Sequence, residues 1–168
     1  IVLSKIPQKT LNWILKIPII NDFFKVKLKQ KLGLKHAKIT ISGAAPVSLE
    51  VINWYKNIDI EIFQIYGMTE DCCISHFNIP PNNKIGTVGR PLPGVKTKIS
   101  EEGEICIKNN CLMKGYYKNP DLTMKTFDKD GYLKTGDKGK YDEEGNLIIT
   151  GRIKDQFKTD KGKYISPS

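Results

Sequence analysis

The feature that most constrains the fold is a helix-like segment between two strand-like segments. Residues 38–42, "KITIS", read as a strand and run into the turn "GAAP", whose Pro46 suits the first turn of a helix. Residues 58–66, "IDIEIFQIY", then alternate apolar and polar side chains as a half-buried strand does. This order predicts a parallel α/β sheet, and ligands bind beyond the carboxyl ends of the strands in such sheets.

A further helix is predicted ahead of the first strand. Over residues 21–34, Phe24, Leu28 and Leu32 recur at intervals of four, and Gly33 is suited to end the helix. Lysines fill much of this segment, and the first 60 residues hold most of the net charge of +9. We interpret the lysines as a solvated face beside an apolar stripe. Contact with an anionic membrane surface stays open as a second interpretation, whereas nucleic acid is not an expected partner because no nucleic-acid-binding motif is present.

The pattern changes after Pro80. Glycine-containing turns recur, and short strand-like stretches lie between them: "VKTKIS", "EICIK" and "GNLIIT". A short helix capped by Asn119 or Asp121 interrupts them. We therefore predict an α/β protein with a partial parallel-sheet subdomain, a small antiparallel β-subdomain resembling a distorted barrel, and a hinge segment. The predicted boundaries are residues 1–80, 81–151 and 152–168, the last with a loop-like conformation.

Composition excludes several other classes. The chain has 168 residues and is 39% apolar, so it can form a packed core. No stretch approaches the roughly 20 apolar residues of a membrane span, and no signal peptide is recognisable. The four cysteines form no CxxC pair, which indicates free thiols and a cytoplasmic location. Cys72 and Cys73 with His76 are a poor zinc site, because vicinal cysteines ligate one ion badly.

Four stretches carry side chains suited to chemistry. In "YGMTE", an aromatic ring at a strand end can lie against a base, Gly67 allows close backbone approach, Thr69 can bond a phosphate oxygen, and Glu70 offers a hard ligand for Mg²⁺. "SGAAP" brings backbone close to a flat ligand. Asp137, after Gly136 in what we predict to be a turn, can accept hydrogen bonds from both ribose hydroxyls. "GRIKDQFKT" adds the planar guanidinium of Arg152. Each stretch alone also fits an ordinary turn or solvated loop.

These motifs occur in one chain in a fixed order: "SGAAP", "YGMTE", "GEICI" with "MKGYYKNP", "GYLKTGD" and "GRIKDQFKT". They closely resemble the adenylate-forming enzymes, which include acyl-CoA synthetases, luciferases and nonribosomal-peptide adenylation domains. The resemblance covers residues from about Ala37 to Pro167. Within this superfamily, "KGKYISP" most resembles the long-chain fatty acid–CoA ligases.

The resemblance implies a two-step, ATP-dependent reaction. A fatty acid carboxylate attacks the α-phosphate and expels pyrophosphate, and the thiol of coenzyme A then displaces AMP from the acyl-adenylate. By motif match, the residues implied to line the adenine are Gly43, Ala44, Ala45, Gln64 and Tyr66, and Gly67 is also implied to belong to the nucleotide-binding set. The ring of Tyr66 would stack on the base, and Gln64 would approach the base edge.

The remaining implied roles concern phosphate, metal and ribose. Thr69 would touch the α-phosphate and Glu70 would hold Mg²⁺, so these two are the implied catalytic residues. Asp137 would bind the ribose hydroxyls, and Arg152 would reinforce that contact.

Two residues near the C-terminus complete the implied set. Lys154 matches the hinge about which a small C-terminal domain swings between the two half-reactions in this family. Gly162 matches the glycine of the loop that approaches the pantetheine arm of coenzyme A.

Two family features do not occur in this sequence: the Ser/Thr/Gly-rich polyphosphate loop and the small domain that carries a catalytic lysine. We therefore expect a central part of a larger enzyme that does not turn over alone. An unpaired sheet edge would allow it to self-associate. Two alternatives stay open. One is an adenylating enzyme for another acid or a carrier-protein acceptor, and the other is a non-catalytic nucleotide-binding module.

Overall fold

The structure is a computed structural model of the 168-residue chain. It describes the backbone of residues 18–153, 157–158 and 164–165, and the side chains of residues 22–153. The helices are α1 (Pro18–Lys31), α2 (Leu49–Asn57) and α3 (Pro120–Thr126), and a 3₁₀ turn spans Thr69–Asp71. The strands are β1 (Thr40–Ser42), β2 (Ile62–Tyr66), β3 (His76–Phe77), β4 (Arg90–Pro91), β5 (Lys96–Ile99), β6 (Glu104–Lys108), β7 (Leu133–Tyr141), β8 (Leu147–Arg152), β9 (Phe157–Lys158) and β10 (Tyr164–Ile165).

The described strands form three sheets. The first is a mixed sheet with the order β1-β2-β3-β4, in which β3 pairs antiparallel with both of its neighbours. The second has the order β5-β6-β7-β8 and is antiparallel throughout, and β9 and β10 form an antiparallel pair. The predicted fold class, an α/β part followed by an antiparallel β part, is confirmed. The sequence did not indicate that antiparallel strands extend the first sheet.

The chain divides into two compact units. Of the described residues, the first contains those up to Thr40 together with Glu50–Ile62, and the second contains Ile41–Leu49 and those from Phe63 onward. The core of the first unit consists of buried residues with partly buried apolar side chains around them. The buried residues of this core are Leu28, Ile58 and Ile60, and its partly buried members are Phe24, Leu32, Leu34, Trp54, Tyr55 and Ile62.

Helix α1 is confirmed, although it begins three residues before the predicted start. Gly33, two residues after the end of the helix at Lys31, adopts a left-handed conformation with φ of 74°. Its N–H donates to Gln30 O (3.1 Å), and the next N–H, of Leu34, donates to Lys29 O (2.8 Å). This pair of bonds is a Schellman motif, which satisfies the last carbonyl groups of a helix. Glycine fits the position because it has no Cβ.

A second Schellman motif explains why one strand prediction was too long. Asp59 has φ of 55° after helix α2, and Ile60 N–H donates to Tyr55 O (3.0 Å). The predicted strand from residue 58 therefore begins only at Ile62, because the preceding backbone groups close the helix. Asp59 also forms an ion pair with Lys25, with Oδ1 and Nζ 2.8 Å apart.

The predicted start of helix α2 at Pro46 is also wrong, because the helix begins at Leu49. Ala44 is left-handed, with φ of 65°, and turns the chain just before the proline. The fixed φ of proline fits extended and turn conformations as well as a first helical turn, so proline alone did not decide between them.

The antiparallel sheet contains a strand that the sequence interpretation missed. The predicted strands "VKTKIS", "EICIK" and "GNLIIT" correspond to β5, β6 and β8, but "LKTGD" was interpreted as a turn and lies inside β7. Helix α3 is confirmed, with Asn119 Oδ1 accepting from Leu122 N–H (3.1 Å). The segment predicted to be loop-like after residue 151 contains the short strands β9 and β10.

A search of the described residues finds no helix that combines the length and the apolar character needed to span a bilayer.

Candidate functional site

Asp137 lies on a bulge in strand β7. The register between β6 and β7 shifts so that three residues of β7, Thr135–Asp137, stand opposite Ile105. Thr135 Oγ1 donates to Ile105 O (2.8 Å) and accepts from Asp137 N–H (3.1 Å). Gly136 has φ of 75°, a conformation that a bulge uses and that favours glycine. The bulge thus fixes the direction of the Asp137 side chain, as the predicted turn was expected to do.

Two side chains hold the carboxylate of Asp137. Tyr66 Oη donates to Oδ2 (2.8 Å), and Arg152 Nε lies 3.2 Å from Oδ1. Arg152 pairs directly with Asp137 across strands β7 and β8. The carboxylate side chain is 16% exposed and the arginine 70% exposed. The carboxylate is therefore held by a partly buried hydrogen-bond donor, Tyr66, and by an exposed cation, Arg152.

Tyr66 links this carboxylate to the core of the second unit. It is the last residue of β2, and its ring packs against the buried cluster listed next. The cluster consists of Val88, Ile105, Ile107 and Leu147. Burial raises the pKa of Tyr66 well above its ordinary value. The phenol therefore stays protonated and serves as a donor to Asp137.

His76 lies beside Tyr66 in a buried polar cluster. The two residues pair across β2 and β3, and their ring centroids are 6.0 Å apart. Ser75 Oγ lies 3.0 Å from His76 Nδ1 and donates to Tyr66 O (3.2 Å), while Thr97 Oγ1 lies 3.3 Å from Nε2. We assign the proton to Nδ1, because the serine hydrogen is already used. Burial lowers the pKa of His76 to about 4, so the imidazole is neutral near pH 7.

The small-residue loop packs closely against β2. A Cβ added to Gly43 would lie 2.6 Å from Cγ1 of Ile65, so a larger residue there would require Ile65 to shift. Ala44 turns the loop with its positive φ. Ile65 lies between Gln64 and Tyr66, the two β2 residues predicted to contact adenine. The structure therefore brings the "SGAAP" and "IFQIY" motifs into contact.

The predicted catalytic residues lie on the 3₁₀ turn after β2. Asp71 is buried, and its Oδ1 accepts from Met68 N–H (2.8 Å). This bond holds the turn so that Thr69 is exposed and Glu70 is half-buried. Burial raises the pKa of Asp71, whose Oδ2 has no hydrogen-bond partner among the residues that the structure describes. Asp71 had no role in the sequence interpretation, and here it supports the turn.

Gly67 is required by a contact within the protein. A Cβ on Gly67 would lie 2.3 Å from Cys73 O, because the backbone folds back over it. Cys72 and Cys73 are exposed and both have positive φ, 68° and 76°. The two cysteines thus lie where the chain turns back towards Gly67.

Glu70 is fixed by a segment from the β part of the chain. Tyr116 Oη donates to Glu70 Oε1 (2.8 Å), and Met113 N–H donates to Glu70 O (2.8 Å). The hydrogen bond to Glu70 raises the pKa of Tyr116. Both the backbone and the carboxylate of Glu70 are therefore held.

The residues around Glu70 fit one particular mode of magnesium binding. Among the described residues, no three His, Cys, Asp or Glu side chains converge as a complete metal site. Magnesium is commonly bound by one or two carboxylates together with substrate phosphates and water. A single positioned carboxylate at Glu70 is compatible with that mode, and a metal there would supply charge neutralisation to a bound triphosphate.

The predicted site residues fall into three groups. Tyr66, Asp137 and Arg152 form one bonded cluster, and Gly43 contacts the strand that carries Gln64 and Tyr66. Thr69 and Glu70 share one turn. Lys154 and Gly162 lie outside the described residues.

Two polar residues of this region escaped the sequence interpretation. Tyr116 belongs to the motif "MKGYYKNP", but nothing local distinguishes it from Tyr117. His76 was considered only as a poor zinc ligand. Its burial between two hydroxyl groups follows from strand pairing over a distance in the chain.

Comparison with known proteins gives the same family as the motifs. A family model described as AMP-binding enzyme matches residues 12–117. The long-chain-fatty-acid–CoA ligase FadD15 of Mycobacterium bovis is 37% identical over 145 residues, which cover 84% of this chain and 23% of the relative. The chain spans about a quarter of the length of the curated relatives it matches.

Solved structures agree in fold. ATP-bound MatB from Rhodopseudomonas palustris superposes with a TM-score of 0.74 at 32% identity, over 87% of this chain and 32% of that one. O-succinylbenzoate coenzyme A synthetase (MenE) from Bacillus subtilis, in complex with ATP and magnesium ion, gives 0.67 at 31% identity, over 76% and 29%. With the family match and the ordered motifs, these similarities show that the chain belongs to the AMP-binding enzyme family of adenylate-forming proteins.

Proposed function

We propose that this chain supplies part of the nucleotide-binding surface of an ATP-dependent, AMP-forming ligase that joins a long-chain fatty acid to coenzyme A. The relatives named as long-chain-fatty-acid–CoA ligases support the substrate class. The solved relatives bound to ATP, one of them with magnesium, support the nucleotide and the metal.

The observation that carries the proposal is the anchored carboxylate of Asp137. A carboxylate that must accept two ribose hydroxyls has to be held in one orientation before the ligand arrives. Tyr66 and Arg152 hold one oxygen each, at 2.8 and 3.2 Å. Each carboxylate oxygen has a second lone pair, so Asp137 can accept further hydrogen bonds.

The other residues keep the roles that the family resemblance implies. The loop Gly43–Ala45 and the strand residues Gln64 and Tyr66 would line the base. Thr69, which is exposed, would bond the α-phosphate, and Glu70 would hold Mg²⁺. The chain's own contribution to the first half-reaction is then placement of the nucleotide and neutralisation of its charge.

Lys154 and Gly162 keep the roles that the family resemblance implies. Lys154 would be the hinge, and Gly162 would approach the pantetheine arm of coenzyme A. The proposed segment boundary between residues 151 and 152 would make Arg152, which forms the ion pair with Asp137, the first residue of the hinge segment.

The first prediction concerns the ribose contact. Asp137→Ala should weaken AMP binding by about tenfold or more, because hydrogen bonds to a charged group are worth about 1.5–3 kcal/mol. Isothermal titration of this chain with AMP and with 2′,3′-dideoxy-AMP measures it. The wild-type chain should prefer AMP, and Asp137→Ala should lose that preference.

Asp121→Ala is the matched control, since it removes an exposed carboxylate at the start of helix α3. Circular dichroism establishes that both variants fold. Equal discrimination between the two nucleotides by wild type and Asp137→Ala would refute the ribose assignment, and a wild-type chain that binds neither would refute the nucleotide proposal.

A further inference from the structure

Two hydrogen bonds from one short segment, residues 113–116, hold Glu70. Met113 N–H donates to its carbonyl oxygen and Tyr116 Oη donates to its carboxylate, each at 2.8 Å. The segment reaches Glu70 across 46 residues of sequence. A contact of both backbone and side chain restricts the carboxylate more than either contact alone, because the main chain cannot shift to follow a rotated side chain.

Tyr116 is itself anchored to helix α3. Its N–H donates to Thr123 Oγ1 (2.9 Å), and that hydroxyl donates to Asn119 O (2.9 Å). Gly115 lies so close to the same threonine that a Cβ would be 2.7 Å from Thr123 Cγ2. These contacts tie the backbone of Tyr116 to a capped helix, so the hydroxyl group of Tyr116 is held in a defined position.

The direction of the hydrogen bond follows from chemistry. A carboxylate accepts only, so the phenol must donate. The donor occupies Oε1 and leaves Oε2 outside this bond. Carboxylates that ligate metals are commonly oriented by such outer hydrogen bonds.

We propose that Tyr116 is a positioning residue that orients the carboxylate of Glu70 so that Oε2 receives a divalent cation bound together with a nucleotide. This rests on the proposed function, because it takes Glu70 as the magnesium ligand. Tyr116 acts through Glu70 and contacts neither the nucleotide nor the cation.

The neighbouring residue provides an unusually close control. Tyr117 is 88% exposed, and its ring lies 5.3 Å from the Lys118 ammonium. Tyr117→Phe also removes one phenol hydroxyl group, at the next position, and retains the ring that the Lys118 ammonium contacts. A difference between the two Tyr→Phe variants therefore reports the bond to Glu70.

The first measurement tests the bond without any ligand. Urea unfolding of wild type, Tyr116→Phe, Glu70→Ala and the double variant gives a coupling between the two side chains, because alanine removes the acceptor that glutamine would keep. We expect the unfolding equilibrium constants to depart from additivity by about fivefold. The same cycle with Tyr117→Phe should be additive. Additivity in the Tyr116 cycle would overturn the proposal.

The second measurement tests the role. Isothermal titration with ATP is carried out in the presence of Mg²⁺ and in EDTA. Tyr116→Phe should weaken the Mg²⁺-dependent gain in ATP affinity about tenfold and leave ATP affinity in EDTA unchanged. Tyr117→Phe should behave as wild type in both conditions. A merely structural change would weaken both titrations alike.

The outcomes separate this proposal from the one it rests on. If wild type gains affinity with Mg²⁺ and Tyr116→Phe retains the full gain, Tyr116 has no positioning role and the proposed function stands. If the wild-type chain shows no Mg²⁺-dependent gain, the metal assignment of Glu70 fails, and the role of Tyr116 fails with it.

Discussion

Two buried clusters of the second unit meet at Tyr66, and they differ in polarity. One is apolar and contains Ile105, Ile107 and Leu147, all fully buried. The other is polar and contains Ser75 and His76, also fully buried. An apolar cluster demands only volume and shape, whereas each donor and acceptor of a polar cluster demands a partner in a fixed direction.

The difference explains where the candidate site lies. The apolar cluster packs against the ring of Tyr66 and restricts it, while the polar cluster fixes the backbone around β3. Ser75 N–H and Oγ both donate to Tyr66 O, at 2.9 and 3.2 Å. Asn78, which follows β3, is held separately, because its Nδ2 donates to Thr87 O (2.7 Å). We infer that the apolar cluster supplies most of the stability and that the polar cluster supplies direction and a sensitivity to protonation.

The largest expected effect tests the apolar cluster. Ile105→Ala should lower the free energy of unfolding by about 4 kcal/mol, because it loses buried apolar surface and leaves a cavity. Urea denaturation measures the change. Ile79→Ala is the control, since Ile79 is 50% exposed, and it should cost less than about 1 kcal/mol. Similar losses for the two variants would show that Ile105 is not a core residue in solution.

The second effect tests the polar cluster through pH. Burial lowers the pKa of His76 to about 4, from 6.5 in an unfolded chain. The unfolded state therefore binds more protons between these values, and stability is retained above pH 6.5 and lost as the pH falls towards 4. The loss from this group should be about 3 kcal/mol. Asp71, whose pKa burial raises, contributes with the opposite sign.

Comparison of variants isolates the histidine. His76→Gln should flatten the pH dependence of the unfolding free energy between pH 7 and 4. His36→Gln, which changes an exposed histidine, should leave the wild-type slope in place. A wild-type slope in His76→Gln would mean that the imidazole is not buried in the neutral form.

The smallest expected effect concerns one hydroxyl of the polar cluster. Thr97→Val keeps the shape of the side chain but removes the partner of His76 Nε2, which lies 3.3 Å away. The expected loss is about 1 kcal/mol, the cost of an unsatisfied buried polar atom. Thr150→Val, at an exposed strand position, should change stability by less than about 0.5 kcal/mol. Equal effects of the two variants would show that Thr97 Oγ1 does not serve the imidazole.

Local patterns predicted most of the secondary structure, and the failures share a cause. Residues 58–60 looked like a strand because Ile58 and Ile60 alternate with a polar residue, yet both are buried by the cap of helix α2. "LKTGD" looked like a turn because of its glycine, yet Gly136 serves a bulge. In each case a local pattern fits two structures, and a contact distant in sequence decides between them.

The sequence by itself determined the family, the order of the predicted site residues, and the division into an α/β part and an antiparallel β part. It could do so because motif spacing and apolar periodicity can be read along the chain. Only the tertiary structure decided which of these residues support each other. Tyr66 and Asp137 are 71 residues apart and share a 2.8 Å hydrogen bond, and Glu70 and Tyr116 are 46 apart and share another. Such bonds depend on strand register, a bulge and a capped helix, and no local pattern contains that information.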